Sequence, residues 1–377
     1  MPVHEDKTLK KNRWWYEVEL GKDMNGKRIR KKQRGFKTKK EAERAMVEVM
    51  SQFNNTGAVT ENSKMLFGEY LWDWYEKKKK SISPQTQKLY EVIIRVHVAP
   101  KLGDIPLNKL TAFHIESFTQ HLIDDKGLKP ESIRRIISVI NTSLNAAERL
   151  DLVTKNVARA VEKPKIPHRE LKVWEPEYVA EFLEKIKGMT RYYAAIYLAI
   201  MTGMRQGEIL GLRWSDIDFE TGVLRIQQTL THNGKKLVAG AKTTGSVRSI
   251  TLSPETLKVL KEHRQMIVQE RVALGSEYKN HDLVNPTSLG TPVSGRGILK
   301  VWNRLMRETK APRVTFHDLR HTHASLLLKQ GVHIKIVSER LGHSSVAITL
   351  DRYSHLMPNM QGEAAKGLDN LLFGTRK

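Results

Sequence analysis

Apolar and polar residues alternate from Arg13 to Leu20, which predicts an extended segment with Trp14, Tyr16, Val18 and Leu20 on one face. Asn25-Gly26 is a hairpin signal, and in the run that follows Arg28, Arg30, Lys32 and Arg34 share a face. Thr38-Lys-Lys-Glu41 then has the form of a capping box, opening an amphipathic helix to about Phe53 that can cover the apolar face of the small sheet. A polar, turn-rich stretch over 54–63 predicts a linker.

Helical periodicity takes over beyond it. Phe67, Tyr70, Leu71 and Trp74 form an aromatic stripe within 66–80, and Ser83-Pro84 supplies a cap and a first-turn proline for a helix reaching about Val98. Segments 111–124 and 130–149 carry Ile115, Phe118 and Leu122 on one helix and Ile133, Ile136, Ile137, Ile140 and Leu144 on the other. These stripes predict a compact all-α domain. Two prolines within 161–168 mark a second linker. From about Leu171 onward the pattern is mostly helical: 175–187, 191–203, 205–212, 254–273, 297–309, 316–330, 334–341 and 345–353. Two β-rich runs, 222–231 and 246–252, interrupt it, and Asn233-Gly234 predicts a hairpin from the first run to a short strand before Lys242.

Charge narrows the function. The 377-residue chain has 64 Lys+Arg against 41 Asp+Glu, a formal net charge of +23, which calls for a polyanionic partner, nucleic acid before an anionic membrane surface. Residues 7–40 alone hold 14 Lys/Arg and 3 Asp/Glu, so the basic face of the hairpin is a nucleic-acid candidate more than a merely solvated strand. The first residues lack a signal peptide's apolar stretch and no run is long enough to span a bilayer, so a cytoplasmic chain without a membrane partner is expected. With no cysteine, disulfides, zinc-thiolate fingers and thiol nucleophiles are excluded, leaving Ser, Thr, Tyr, Lys or a carboxylate for covalent chemistry.

Two segments stand out: Thr202-Gly-Met-Arg-Gln-Gly-Glu-Ile-Leu-Gly-Leu-Arg-Trp214, and Thr315-Phe-His-Asp-Leu-Arg-His-Thr-His-Ala324 followed by Leu341-Gly-His343 and Tyr353. In residue type, order and spacing they resemble the catalytic signature of tyrosine recombinases of the phage-integrase family, and the basic hairpin resembles the arm-binding domain of integrases from phages and integrative conjugative elements. The resemblance implies a three-part chain: an arm-type DNA-binding domain over 1–55, a sheet of three strands plus a helix; an all-α, SAM-like core-binding domain over 64–160; and a mainly α (α+β) catalytic domain with its C-terminal tail over 171–377.

It also implies the chemistry. Attack on a phosphodiester builds charge on the non-bridging oxygens, which planar guanidinium groups pair with through two parallel hydrogen bonds; Arg205 and Arg320 take that role by resemblance. Lys242 would protonate the departing 5′ oxygen, His317 act as general acid/base beside the nucleophile, His343 hydrogen-bond the phosphate and Tyr353 attack it, with Glu208 orienting the cations. On local sequence alone Glu208 is equally an ordinary helix-surface carboxylate, and Lys242 a solvated loop lysine. His317 and His321, spaced i, i+4, also have metal-ligand spacing, but that reading leaves the interleaved arginines unexplained, and neither metal nor cofactor is expected. The partners implied are double-stranded DNA core and arm attachment sites and three further copies of the chain, a homotetramer on DNA, with room for an accessory directionality factor or a host DNA-bending protein. The setting implied is the nucleoid of a bacterial host. Two other classes share parts of the pattern: a non-catalytic sequence-specific DNA-binding protein, and a type IB topoisomerase that cleaves without exchanging strands.

Overall fold

A computed structural model describes residues 3–8, 11–22, 28–56, 65–167, 171–231, 234, 236–239, 248–354 and 360–373. Lys242 and the Asn25-Gly26 and Asn233 turn positions lie outside the described residues, as do the side chains of Leu20 and Arg28. The chain divides into two compact units, residues 1–168 and 169–377.

In the first unit, β1 (Val3–Glu5), β2 (Trp14–Lys22) and β3 (Arg28–Phe36) form an antiparallel sheet in that order. Helix α1 (Lys39–Thr56) follows, and Tyr16 and Val18 of β2 are buried with Met46 and Val49 of α1, as the alternation requires. The Thr38 hydroxyl accepts the Glu41 N–H at 3.2 Å, while the Glu41 carboxylate reaches one residue further back, to the Lys37 N–H at 3.0 Å. The other sheet face carries exposed Arg30, Lys32 and Arg34, but not as an unbroken basic stripe: Glu19, Glu17 and Trp15 stand directly opposite them across the ladder. The Lys32 ammonium sits 4.2 Å from the Trp15 ring centroid, which also stacks on His4.

The rest of this unit, among the described residues, is helical: α2 (Phe67–Lys79), α3 (Pro84–Val92), a π-helical stretch (Ile93–Val98), α4 (Ala99–Leu102), α5 (Ala112–Asp124) and α6 (Pro130–Arg149), with short 3-10 turns at Leu107–Lys109 and Val157–Ala160. Phe67, Tyr70, Leu71 and Trp74 interlock with Ile94, Ile115, Phe118, Ile137 and Ile140 in one core, and the Tyr70 hydroxyl donates to the buried Ser143 carbonyl at 2.6 Å. The helix begun at Pro84 does not stop at Val98. It passes through the π stretch into α4, with Ala99 N–H bonded to the Ile94 carbonyl and Pro100, which has no N–H to offer, placed directly after the π turn. Val161, at the head of the predicted second linker, is buried in this helical core.

The second unit holds α7 (Pro176–Ile186), α8 (Tyr193–Thr202) and α9 (Gln206–Gly211), then strands β4 (Ile217–Asp218), β5 (Val223–Ile226), β6 (Gln228–Leu230), β7 (Leu237–Ala239) and β8 (Arg248–Thr251). Helices α10 (Pro254–Leu274), α11 (Gly295–Glu308), α12 (Asp318–Lys329), α13 (Ile334–Leu341), α14 (Val346–Tyr353) and α15 (Met360–Phe373) complete it. The first β-rich run splits between two sheets, β4-β5-β8 and β6-β7, a division the hydrophobic pattern alone does not reveal. Trp174, Phe182, Trp302 and Phe316 anchor the main core, each tryptophan N–H satisfied by a backbone carbonyl, Pro312 for Trp174 and Val314 for Trp302. Helix α8 is buried almost all round and brings the Thr202-Gly-Met-Arg turn into the middle of this unit. A small separate cluster, Ala324, Leu328, Val337 and Leu341 from α12 and α13, receives the Tyr353 ring. In α15, Leu368, Leu371, Leu372 and Phe373 remain exposed. No described helix is long and apolar enough to cross a membrane.

Candidate active site

Two left-handed glycines set the position of the arginines. Gly203 (φ 64°) ends α8, and a Cβ there would stand 2.6 Å from the His323 ring and 2.8 Å from Leu341, so only glycine lets α8 close on α12 and α13. Its carbonyl accepts a hydrogen bond from Arg320 at 2.7 Å. Gly342 (φ 67°) ends α13, and its carbonyl accepts from Arg205 at 2.9 Å. Both arginines are therefore held by helix-end carbonyls that have no partner within their own helices.

Glu208 ties these pieces together. Only 5% exposed, it accepts the Arg205 backbone N–H at 2.8 Å and the Arg205 guanidinium at 2.8 Å, and it takes both terminal nitrogens of Arg248 at 3.1 and 2.8 Å. Arg248 in turn donates from Nε to the Arg340 carbonyl at 2.7 Å, linking β8 to α13. Burial works against the charge on Glu208, yet the hydrogen bonds and field of Arg248 and Arg205 outweigh it and hold the carboxyl below its ordinary value. The surface-carboxylate reading of Glu208 is thus overturned. We predict that Glu208→Ala lowers folding stability by about 3–5 kcal/mol, because Arg248 is left buried without its counter-charge; the urea midpoint measures it, and an unchanged midpoint contradicts the hub.

Tyr353 ends α14 fully buried, its hydroxyl 2.5 Å from His321 Nδ1. Burial pushes the phenol up to about 12, against the pull of Arg320 and Arg352. Arg320, 3% exposed, is drawn down by burial and by Arg205 to about 9, which still leaves it a cation at neutral pH. His343 places Nδ1 2.8 Å from the Thr349 hydroxyl, leaving Nε2 for another partner. Burial first, then Arg320 and Arg205, lowers it to about 4. His317 occupies the N-cap position of α12 without a side-chain capping bond; its surface is open to solvent on one side, while desolvation of the side turned toward the site, and then the field of Arg320, lower it too. Its ring meets His321 edge-on at 5.2 Å, and among the described residues no hydrogen bond joins it to Tyr353.

The structure therefore brings Arg205, Glu208, His317, Arg320, His343 and Tyr353 into one cluster, and Lys242 falls outside the described residues. Two members escaped sequence reasoning as site residues. Arg248 stands at the start of β8, within the β-rich run 246–252, and His321 follows His317 by four residues, a spacing read only as metal-like; these were the available signals.

The buried histidines predict acid sensitivity. His321, His343 and His323 fall to about 4, 4 and 3 in the folded chain, burial being the largest cause in each. An unfolded chain binds protons on them near 6.5. Folding stability should then be fully present above about pH 6.5 and decline as pH falls toward about 4. Chemical-denaturation midpoints across that window test this; a flat profile contradicts it.

Fold and site together define a class, a DNA strand-exchange enzyme of the tyrosine type. The chain belongs to the phage integrase family, whose model matches residues 172–360, with a phage-integrase N-terminal SAM-like domain matched over 66–123 and an arm DNA-binding domain over 5–53. It is a tyrosine-type site-specific DNA recombinase. A tyrosine recombinase XerC-like protein of Caldanaerobacter subterraneus subsp. tengcongensis is 31% identical, covering 94% of this chain and 95% of that protein. The ICEBs1 integrase of Bacillus subtilis is 27% identical over 97% and 99% of the two chains. Among solved structures, the Tn1549 transposon integrase in complex with transposon right end DNA superposes with a TM-score of 0.67 at 20% identity, covering 80% of this chain and 99% of that one. The lambda integrase tetramer bound to a Holliday junction gives 0.56 at 20% identity over 91% and 96%.

Proposed function

We propose that this recombinase integrates and excises a mobile element, with Tyr353 as the nucleophile that joins to a 3′ phosphate at each core site. The observation that carries this reading is geometric: Arg320 and Arg205 are fixed on the Gly203 and Gly342 carbonyls that end α8 and α13, and α14 delivers the fully buried Tyr353 hydroxyl to His321, one residue after Arg320 on α12. A phosphodiester placed against the arginines finds fixed cations for its two non-bridging oxygens, supplied without reorganisation at the moment of attack. His343, anchored through Nδ1, offers Nε2 to the same phosphate. His317, exposed at the start of α12, is a general acid/base for the reacting oxygens, and Glu208 orients Arg205. Lys242 is the acid for the 5′ oxygen. The phosphotyrosyl bond conserves the energy of the phosphodiester, so rejoining by a second 5′ hydroxyl needs no nucleotide.

The three-part division into 1–55, 64–160 and 171–377 assigns the first part to arm sites, through Arg28, Arg30, Lys32 and Arg34, and the other two to the core site. Exposed Leu371 and Phe373 of α15 support assembly into a tetramer through the C-terminal segment. Action on the chromosome places the protein at the nucleoid of a bacterial host. Recombination between two plasmid-borne attachment sites taken from the DNA flanking the gene tests the reading. Deleting residues 1–55 should abolish recombination there while core-site cleavage persists. Plasmid relaxation without exchange by the intact protein would instead mark a topoisomerase, and loss of core cleavage in the truncation would contradict the division of labour.

A further inference from the structure

The residue facing the reactive oxygen is not the histidine that the family pattern puts forward. We propose that His321 is a catalytic residue, the base that accepts the Tyr353 proton as the phenol attacks the phosphodiester. The inference rests on Tyr353 being the nucleophile and goes beyond it.

Geometry carries the case. His321 Nδ1 lies 2.5 Å from the Tyr353 hydroxyl, within the range for direct proton transfer, and both side chains are shut away from solvent, at 6% and 0% exposure. No other hydrogen bond of the Tyr353 hydroxyl is present among the described residues. The contact admits either direction according to the tautomer; in the proposed step the ring proton is assigned to Nε2, so that the Nδ1 lone pair accepts the phenol O–H. His317 is exposed and touches the phenol only through His321, whose ring it meets edge-on. It can therefore take the proton onward to solvent or serve the phosphate. The groups acting on His321 are His317, Asp318 and Arg320 from its own helix end and Arg352 and Tyr353 from α14. Burial, reinforced by His317 and Arg352, lowers His321 to about 4, so its acceptor form is the one present at neutral pH.

The step balances without any further reagent. The Tyr353 oxygen forms a bond to phosphorus as the bond from phosphorus to the 5′ oxygen breaks. The phenol proton passes to His321 Nδ1, and the departing oxygen takes a proton from the acid assigned to Lys242. On rejoining, His321 returns its proton to the tyrosine oxygen.

Single-turnover formation of the covalent complex on a nicked core-site duplex, followed from pH 6 to 10, tests the assignment. His321→Ala should slow it by about 10²–10⁴-fold at pH 7, the usual range for losing a general base. Its rate should then climb about tenfold per pH unit as the phenol ionises unaided, a rise the wild type lacks, and added imidazole should restore part of the rate. His321→Gln keeps a hydrogen-bonding group against the phenol, so it should bind DNA as wild type yet remain slow. A duplex with sulfur at the bridging 5′ position, which leaves without a proton, should not rescue either variant. Wild-type rate in His321→Gln, rescue by the sulfur duplex, or a deficit that is constant with pH would overturn the role of His321. Covalent complex in Tyr353→Phe would overturn the nucleophile itself, a separate failure.

Discussion

Tyr353→Phe should form no covalent complex with core-site DNA while binding that DNA as tightly as the wild type. The phenyl ring keeps the packing against Ala324, Leu328, Val337 and Leu341, so the cluster that seats α14 survives. What disappears is the hydroxyl and its hydrogen bond to His321. Leaving His321 Nδ1 buried without that partner costs about 1–3 kcal/mol, too little to unfold a chain with cores of this size. Binding is set by the basic surface and the arginines, which the substitution leaves in place. A denaturing gel reads the covalent adduct and a mobility-shift titration reads affinity; recombination by this variant would contradict the assignment outright.

Arg320→Ala should reduce the cleavage rate by on the order of 10²–10³-fold, the loss typical of removing one preorganised donor from a charged transition state. Arg320 is also structural, since it donates to the Gly203 carbonyl at the end of α8, so part of the loss could be misattributed to misfolding. Arg320→Lys separates the two effects. Lysine retains the charge but not the fork that spans two phosphate oxygens, so it should fold as wild type and still cleave at least tenfold slower, roughly 1.4 kcal/mol of lost transition-state stabilisation. Single-turnover cleavage with folding checked by thermal denaturation distinguishes these cases. Full activity in Arg320→Lys would mean that bidentate contact is not what the arginine contributes.

Much of the fold was legible because it depends on local signals. Helix α6 spans Pro130–Arg149, as its proline start and isoleucine stripe predict, and α13 ends at Leu341 because Gly342 takes the left-handed conformation. Strands β2 and β3 and their covering helix follow from alternation and one turn, whereas β1, three residues long, was implied only by the family resemblance. The π-helical stretch after Val92 was not legible, since its apolar spacing matches that of an α-helix and only packing selects it. Neither was β4, two residues long, which exists through its pairing with β5.

The site divides the same way. Arg205, His317, Arg320, His343 and Tyr353 were named from order and spacing, without information about what each side chain touches. The contacts that give them meaning join residues far apart in the chain: Arg205 to the Gly342 carbonyl, Arg320 to the Gly203 carbonyl, and Arg248 to Glu208. A sequence window cannot contain such pairs. Glu208 is the clearest instance: the resemblance implied that it orients cations, but on local sequence it was equally a surface carboxylate, and only the two arginines that close over it decide between them. His321 is another, visible as i+4 to His317 but without significance until α14 delivers a hydroxyl to its ring.

The central claim is that Tyr353 carries the DNA between cleavage and rejoining. Trapping the intact protein on a nicked core-site duplex built from the DNA flanking its gene, digesting it and mapping the nucleotide-bearing peptide by mass spectrometry tests this directly. The modified residue should be Tyr353, in the peptide containing Thr349-Leu-Asp-Arg-Tyr353, joined to a 3′ phosphate. A nucleotide on any other side chain, or a 5′ linkage, would contradict the account.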